Sequence, residues 1–340
     1  MSLTDDRTTA ASFCSTPSYA ETTAHAGRAV FRRAQRLHHA GLREVRIACE
    51  WQGPSWAPAI VVAGGISAHR HVASSQAYPE AGWWEDQAGP GKPLDTDRYR
   101  VIAIDWIGSD GSLDAPIDSG DQADAIAFVL DRLGIVRIAA FVGCSYGAMV
   151  GLQFAARHPE RLSRLVAISG ADRPHPFATA WREVQRRIVH LGRSEGGRRE
   201  ALSLARQLAM LSYRTPEEFA ERFDAPVALV EDRARGAARD YLEACGERYV
   251  AKTSSTAFLR LSESIDLHTV DAERITVPTE LVAIEEDRLV PLQSLQALAD
   301  SLGSRCRLHR LCSSRGHDAF LAEPERIADV LALALQGATA

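Results

Sequence analysis

A serine hydroxyl becomes a useful nucleophile only when a neighbouring base takes its proton, and one serine in this chain has the surroundings for that. Gly143-Cys144-Ser145-Tyr146-Gly147 has the spacing G-x-S-x-G. At this glycine and serine content the pattern alone arises by chance in roughly one chain in ten. Its context is more specific. The apolar run Val136–Val142 leads straight into it and the helical pattern Tyr146–Arg157 follows, which is the strand, sharp turn and helix of a nucleophile elbow. Side chains at 143 and 147 would collide with neighbouring backbone in such a turn, which accounts for glycine at both. The alternative is an ordinary glycine-rich turn; Ser145 is the expected nucleophile.

A base and an acid must then come from later in the chain, in the order serine, acid, histidine. The run Thr279–Ile284 reads as a late strand followed by Glu285-Glu286-Asp287-Arg288. Asp287, just before Leu289-Val290-Pro291, stands where a triad acid belongs, with Glu285 and Glu286 as competitors. His317, in Arg315-Gly316-His317-Asp318 after the last strand, is the expected base. The remaining histidines lack this late position. Backbone N–H donors for an oxyanion are expected from Tyr146 and from the glycines Gly64 and Gly65 after an early strand. His69-Arg70-His71 alternates ligands without a nearby carboxylate, so no metal site is expected.

These residues need a scaffold. From about residue 43, short apolar runs alternate with helical patterns: strands at Val45–Glu50, Ala59–Ala63, Tyr99–Asp105, Val136–Val142 and Leu165–Ser169, and helices at Asp121–Leu133 and Tyr146–Arg157. Continuous apolar strands separated by helices predict an α/β protein with a mostly parallel sheet covered on both faces. Residues 171–270 break the rhythm, being helical in pattern and Arg-rich. It resumes with Thr276–Ile284, Leu292–Leu302, Cys306–Leu311 and Ala319–Leu335. The expected organisation is a disordered tail over 1–28, a core formed by 29–170 and 272–340, and a helical cap inserted at 171–271.

Composition narrows the function. A net charge of -5 over 340 residues argues against a general nucleic-acid binder. Of 39 basic residues only Lys92 and Lys252 are lysine, and a GC-rich coding sequence explains the arginine excess. The six cysteines form no C-x-x-C pair, which fits a reducing, cytoplasmic setting. The first 28 residues lack the apolar stretch of a signal peptide, and no run of about 18 apolar residues predicts a spanning helix.

Beyond the elbow, residues 43–330 resemble the α/β-hydrolase-fold homoserine O-acyltransferases. The similarity is carried by Ala63–His69, Gly82-Trp83-Trp84-Glu85, the stretch Gly89–Tyr99, Glu183-Val184-Gln185-Arg186-Arg187, Ser212-Tyr213-Arg214, Leu261–Asp266 and, most specifically, Gly316-His317-Asp318-Ala319-Phe320-Leu321. The resemblance implies the α/β-hydrolase fold and a triad of Ser145, Asp287 and His317. It also implies amino-acid binding by Arg186 and Asp318, and a homodimer built through the cap. The chain departs from the family at Tyr146, Ala148 and Val150 and in the stretch 106–120, near the expected acyl pocket.

The implied reaction is ping-pong acyl transfer from an acyl-coenzyme A to L-homoserine for methionine synthesis, with no bound cofactor. Succinyl- and acetyl-coenzyme A are both admissible donors. Arg288 beside the triad acid tilts the expectation to succinyl. The alternatives are transfer to L-serine, a carboxylic-ester hydrolase, which has no use for Arg186 with Asp318, and a non-catalytic binding scaffold.

Overall fold

The computed structural model describes residues 19–22 and 25–336. The chain enters through three antiparallel strands, β1 (Tyr19–Thr22), β2 (Ala26–Leu37) and β3 (Gly41–Gln52). Next come β4 (Ala59–Ala63), β5 (Arg100–Ile104), helix α1 (Ser119–Arg132), β6 (Ala140–Cys144), α2 (Tyr146–Arg157) and β7 (Leu165–Ile168). Between β7 and the rest of the main sheet lie α3 (Pro176–Leu191), α4 (Glu195–Tyr213), α5 (Pro216–Phe223), a hairpin β8 (Ala228–Val230) and β9 (Arg233–Arg235), α6 (Ala238–Val250) and α7 (Ser255–Asp266). The chain finishes with β10 (Thr279–Ile284), α8 (Leu292–Leu302), β11 (Cys306–Leu311), α9 (Ala319–Ala322) and α10 (Pro324–Ala334).

The nine-stranded sheet has the order β1-β2-β3-β5-β4-β6-β7-β10-β11. From β5 to β11 every neighbouring pair is parallel. Alternation of side chains across a strand splits the core in two. Val61, Ile102, Phe141 and Leu165 face one layer with α1, α2 and α8. Ile60, Val62, Val142 and Val166 face the other with α10 and the segment around Trp84. The helices between β7 and β10 bury a smaller cluster of their own, including Val189, Leu202, Ala205 and Phe258.

Three expectations are corrected. The tail does not reach residue 28: Tyr19–Thr22 forms β1, and Ala26–Arg28 opens β2, which pairs with β3 from Ala26 opposite Gln52 to Leu37 opposite Gly41. The rest of the expected tail lies outside the described residues. The run Ala319–Leu335 is two helices, not one, because Glu323 precedes Pro324 and takes an extended φ of -122. The helical block also contains the small β8–β9 hairpin.

Candidate active site

The sheet delivers Ser145 at the end of β6, and α2 begins at the next residue. That leaves Ser145 to make the turn by itself, at φ 54 and ψ -116, a backbone region that costs a non-glycine residue about 1–3 kcal/mol. Its N–H donates to the Ile168 carbonyl at 2.7 Å, tying the elbow to β7. A Cβ on Gly143 would lie 2.2 Å from the Gly147 carbonyl oxygen, and one on Gly147 would lie 2.0 Å from that of Ala63. The elbow therefore closes only with glycine at both places.

The Ser145 hydroxyl meets His317 Nε2 at 2.7 Å, and His317 Nδ1 meets Asp287 Oδ2 at 2.7 Å. Asp287 is buried, and its Oδ1 accepts the N–H groups of Leu289 at 2.8 Å and Val290 at 3.0 Å. One carboxylate oxygen thus folds the loop while the other orients the imidazole, leaving Nε2 as acceptor for the serine proton. Burial pulls the His317 pKa down, but the charge of Asp287 and its hydrogen bond outweigh burial and leave it raised. The competing acids point elsewhere: Glu285 binds Arg310 and Cys312, and Glu286 accepts the Ser313 N–H. An imidazole oriented by a carboxylate with Nε2 against a hydroxyl is an arrangement that can activate the serine.

Ser145 and His317 open into a cavity of about 230 Å³ between the sheet and the helical block. Gly65 and Tyr146 line it beside Ser145. Gly64 does not: its carbonyl accepts the Gly147 N–H at 3.0 Å, and it packs against Ala68 and the Trp83 ring. Tyr146 is buried edge-on to Trp106, with ring centroids 5.0 Å apart, and its hydroxyl bonds the Ser264 hydroxyl.

Of the expected binding residues, Asp318 lines the cavity, and its carboxylate lies 3.2 Å from the Arg214 guanidinium. Burial raises its pKa, opposed by the charge of Arg214. Arg186 does not line the cavity. Its guanidinium is taken by Asp266 at 2.6 Å, Ser262 at 3.1 Å and Glu183 at 3.0 Å. Arg182, one turn earlier on α3, lines the cavity and shares Asp266. Arg288 is exposed and does not line the cavity either, since the loop that turns Asp287 inward turns its neighbours outward. The sequence reading missed Arg206, which lines the cavity, and nothing in the sequence marks it among the many arginines; Arg214, in the motif Ser212-Tyr213-Arg214, does not line the cavity and is held by Glu218 as well as Asp318.

A second serine–histidine contact, Ser119 Oγ to His268 Nδ1 at 2.6 Å, is structural. His268 is buried with its pKa pulled down to about 4 by burial, and its other nitrogen meets the Ala171 carbonyl rather than a carboxylate. Neither residue lines the cavity. In His69-Arg70-His71, where no carboxylate was expected nearby, His71 is held between the Glu50 carboxylate at 2.8 Å and the Glu80 carbonyl at 2.7 Å.

The model of the alpha/beta hydrolase fold matches residues 58–324. A homoserine O-succinyltransferase of Xanthomonas campestris pv. campestris is 58% identical over 300 residues, covering 88% of this chain and 81% of that protein. A serine O-succinyltransferase of Litchfieldella anticariensis is 33% identical, covering 81% of this chain and 87% of its own length. The solved homoserine O-acetyltransferase of Bacillus anthracis superposes with a TM-score of 0.82 over 92% of this chain and 98% of that one, at 16% identity, a likeness of fold alone. With an elbow serine, a buried histidine–aspartate pair and matches of this extent, the chain belongs to the homoserine O-acyltransferase family of the α/β-hydrolase fold.

Proposed function

We propose that this chain is an acyl-coenzyme A:L-homoserine O-acyltransferase, with succinyl the preferred acyl group, acting through an acyl-serine. The carrying observation is the continuous relay from Asp287 through His317 to Ser145, opening into a cavity that also presents Asp318. His317 takes the Ser145 proton as Oγ attacks the thioester carbon. The backbone N–H groups of Tyr146 and Gly65 face the oxyanion. The intermediate collapses, the C–S bond breaks, and the proton on His317 leaves with the coenzyme A thiol. Homoserine then gives its hydroxyl proton to His317 and attacks the acyl carbon. Ser145 departs with that proton, and O-acyl-L-homoserine forms for methionine synthesis.

Acceptor recognition rests on geometry as well. The α-ammonium and α-carboxylate of an amino acid share one carbon, so the groups that hold them must be neighbours. Asp318 and Arg206 are such a pair: both line the cavity, and the charge of Arg206 acts on the Asp318 carboxylate. We therefore assign the ammonium to Asp318 and the carboxylate to Arg206 in place of Arg186. A guanidinium and a carboxylate side by side complement a zwitterion; an ester hydrolase has no use for them. The succinyl preference is supported by the 58% identical succinyltransferase and no longer by Arg288. A homodimer is supported by exposed Leu191 and Leu204 on α3 and α4. A cytoplasmic setting is supported by Cys49, Cys144, Cys245, Cys306 and Cys312 being free thiols.

Intact-protein mass spectrometry after mixing with succinyl- or acetyl-coenzyme A is the direct test. The expected result is an acyl adduct on wild type and none on Ser145→Ala, discharged faster by L-homoserine than by L-serine or water. An adduct that water discharges as fast as homoserine does would make the protein a hydrolase.

A further inference from the structure

Away from the cavity, three side chains of metal-ligating type meet at one point: His38, His39 and Asp118. A three-residue turn, 38–40, joins β2 to β3, with Leu37 paired to Gly41. Consecutive residues of a strand point to opposite faces, but in this turn the two imidazoles lie side by side, with ring centroids 4.3 Å apart. His38 Nδ1 stands 2.8 Å and His39 Nε2 3.2 Å from the same oxygen, Asp118 Oδ2. All three ligand atoms fall within 4.8 Å of one another. Tetrahedral zinc with bonds of about 2.0–2.1 Å spaces its ligand atoms about 3.3 Å apart. The cluster therefore needs only a small opening to take such an ion.

The frame behind these ligands is fixed. Asp118 is buried and caps α1: its Oδ1 accepts the Asp121 N–H at 2.9 Å, and Asp121 Oδ2 accepts the Asp118 N–H at 3.0 Å. That leaves Asp118 Oδ2 to the histidines. Asp121 Oδ1 accepts the His38 N–H at 3.0 Å, and the Asp121 carbonyl accepts Gln35 Nε2 at 2.8 Å. The turn is thus pinned to the helix before either imidazole takes part, and outer contacts of this kind orient metal ligands. Charge favours a cation as well. Asp118 and Asp121 are neighbouring buried carboxylates, and burial together with the charge of Asp118 raises the Asp121 pKa. Among the described residues, the ion-pair partners of Asp118 are the two imidazoles. Arg157 of α2 faces the same cap but is held by Asp124 at 3.0 and 2.6 Å. The positive end of the α1 dipole opposes a cation with about half a charge, less than the two carboxylates supply. We propose that His38, His39 and Asp118 bind a divalent transition-metal ion of the zinc class, with water in the fourth position, and that the ion clasps the β2–β3 turn to the start of α1. Each imidazole presents a lone pair to the ion and keeps its proton on the far nitrogen. None of the three residues lines the cavity, so the site stands or falls separately from the acyltransferase reading.

The test titrates the chelator-treated full chain with Zn²⁺ and, for its visible spectrum, with Co²⁺. It compares wild type, His38→Gln, His39→Gln and the double variant, leaving Asp118 in place because it caps α1. Wild type is expected to bind one ion per chain, to give the absorption of tetrahedral cobalt, and to unfold at a higher temperature in about tenfold excess of Zn²⁺. Loss of an outer partner alone costs a metal site about ten- to a hundredfold in affinity. Each single variant is therefore expected to weaken Zn²⁺ binding by about tenfold or more, and the double variant by about a hundredfold or more, with the cobalt band and the thermal shift gone. Equal affinity in wild type and the double variant would put the ion elsewhere and overturn the proposal. Wild type that shows neither the thermal shift nor the cobalt band overturns it too. If the double variant unfolds earlier in the absence of metal, His38→Gln decides by the same affinity ratio, since that ring is 73% exposed.

Discussion

Asp287 does two jobs with two oxygens, and separating them gives a sharp prediction at the scale of single residues. Oδ1 holds the backbone of Leu289 and Val290, and Oδ2 holds His317. Asp287→Asn keeps the size of the side chain but can present an N–H₂ group to Nδ1, favouring the tautomer in which Nε2 carries the proton and cannot accept one from Ser145. A loss in kcat of about 10³–10⁴-fold is expected. The pH profile adds a second readout. The carboxylate raises the His317 pKa above its ordinary 6.5, and the base works only when neutral. The acid limb of kcat/KM in wild type is therefore expected above pH 6.5. In Asp287→Asn burial acts without that opposing charge, so the limb moves to lower pH than in wild type. A limb at the same pH in both proteins would mean that another group titrates. The identity of these residues was legible because an elbow is a local event and the order of its partners follows strand ends. Arg186 was misplaced for the converse reason. Arg182 and Arg186 are one turn apart and share Asp266, and only tertiary packing decides which of the two faces the cavity.

At the scale of elements, apolar runs bounded by breakers were legible: Ala59–Ala63, Tyr146–Arg157, Leu292–Leu302 and Cys306–Leu311 stand at the expected limits. β2 was not legible, since its outer face carries Arg28, Arg32 and Arg36, and Arg33 and Gln35 interrupt the inner face of Ala29, Phe31 and Leu37. Arg28 shows why a charged residue opens a strand here. It donates to Glu50 at 2.7 Å and Glu80 at 2.8 Å, and Glu50 is buried. Among the described residues, Arg28→Met leaves that carboxylate with His71 and Gln52 as partners. A destabilisation of about 1–3 kcal/mol is expected, read as a lower denaturation midpoint with an unchanged slope. A variant within about 0.5 kcal/mol of wild type would return this segment to the role of a tail. The departures from family pattern at Tyr146 and in the stretch 106–120 also prove to be one feature, because Trp106 and Tyr146 pack edge to face beside the nucleophile. Two separate motifs can be read from a sequence, but their contact cannot.

At the scale of the whole molecule, the site holds groups that function needs and folding does not. Asp318 is half-buried with its pKa raised, because loss of solvation outweighs the attraction of Arg214. An acid whose folded pKa lies above its unfolded 3.8 binds more protons in the native state, so stability falls as pH rises through that interval. Below 3.8 both states are protonated and the ionisation penalty is absent; above the folded pKa the full penalty is present. His317 has the same sign: its raised pKa adds stability below 6.5 that is lost as pH climbs through the folded value. Asp318→Asn removes the acid's contribution while nearly preserving shape, and Arg214 keeps its bond to Glu218 at 3.0 Å. The variant is expected to melt about 1–3 °C above wild type at pH 8, with the gap closing toward pH 4. Homoserine should at the same time discharge the acyl-enzyme far more slowly, since the ammonium has lost its counter-charge. That opposition is what a binding site built at the expense of stability predicts. Thermal unfolding across pH, paired with the rate of acyl discharge, measures both sides of it. An Asp318→Asn protein that melts lower than wild type at every pH would mean Asp318 is there to hold the helical block on the sheet through Arg214 rather than to receive an amino acid.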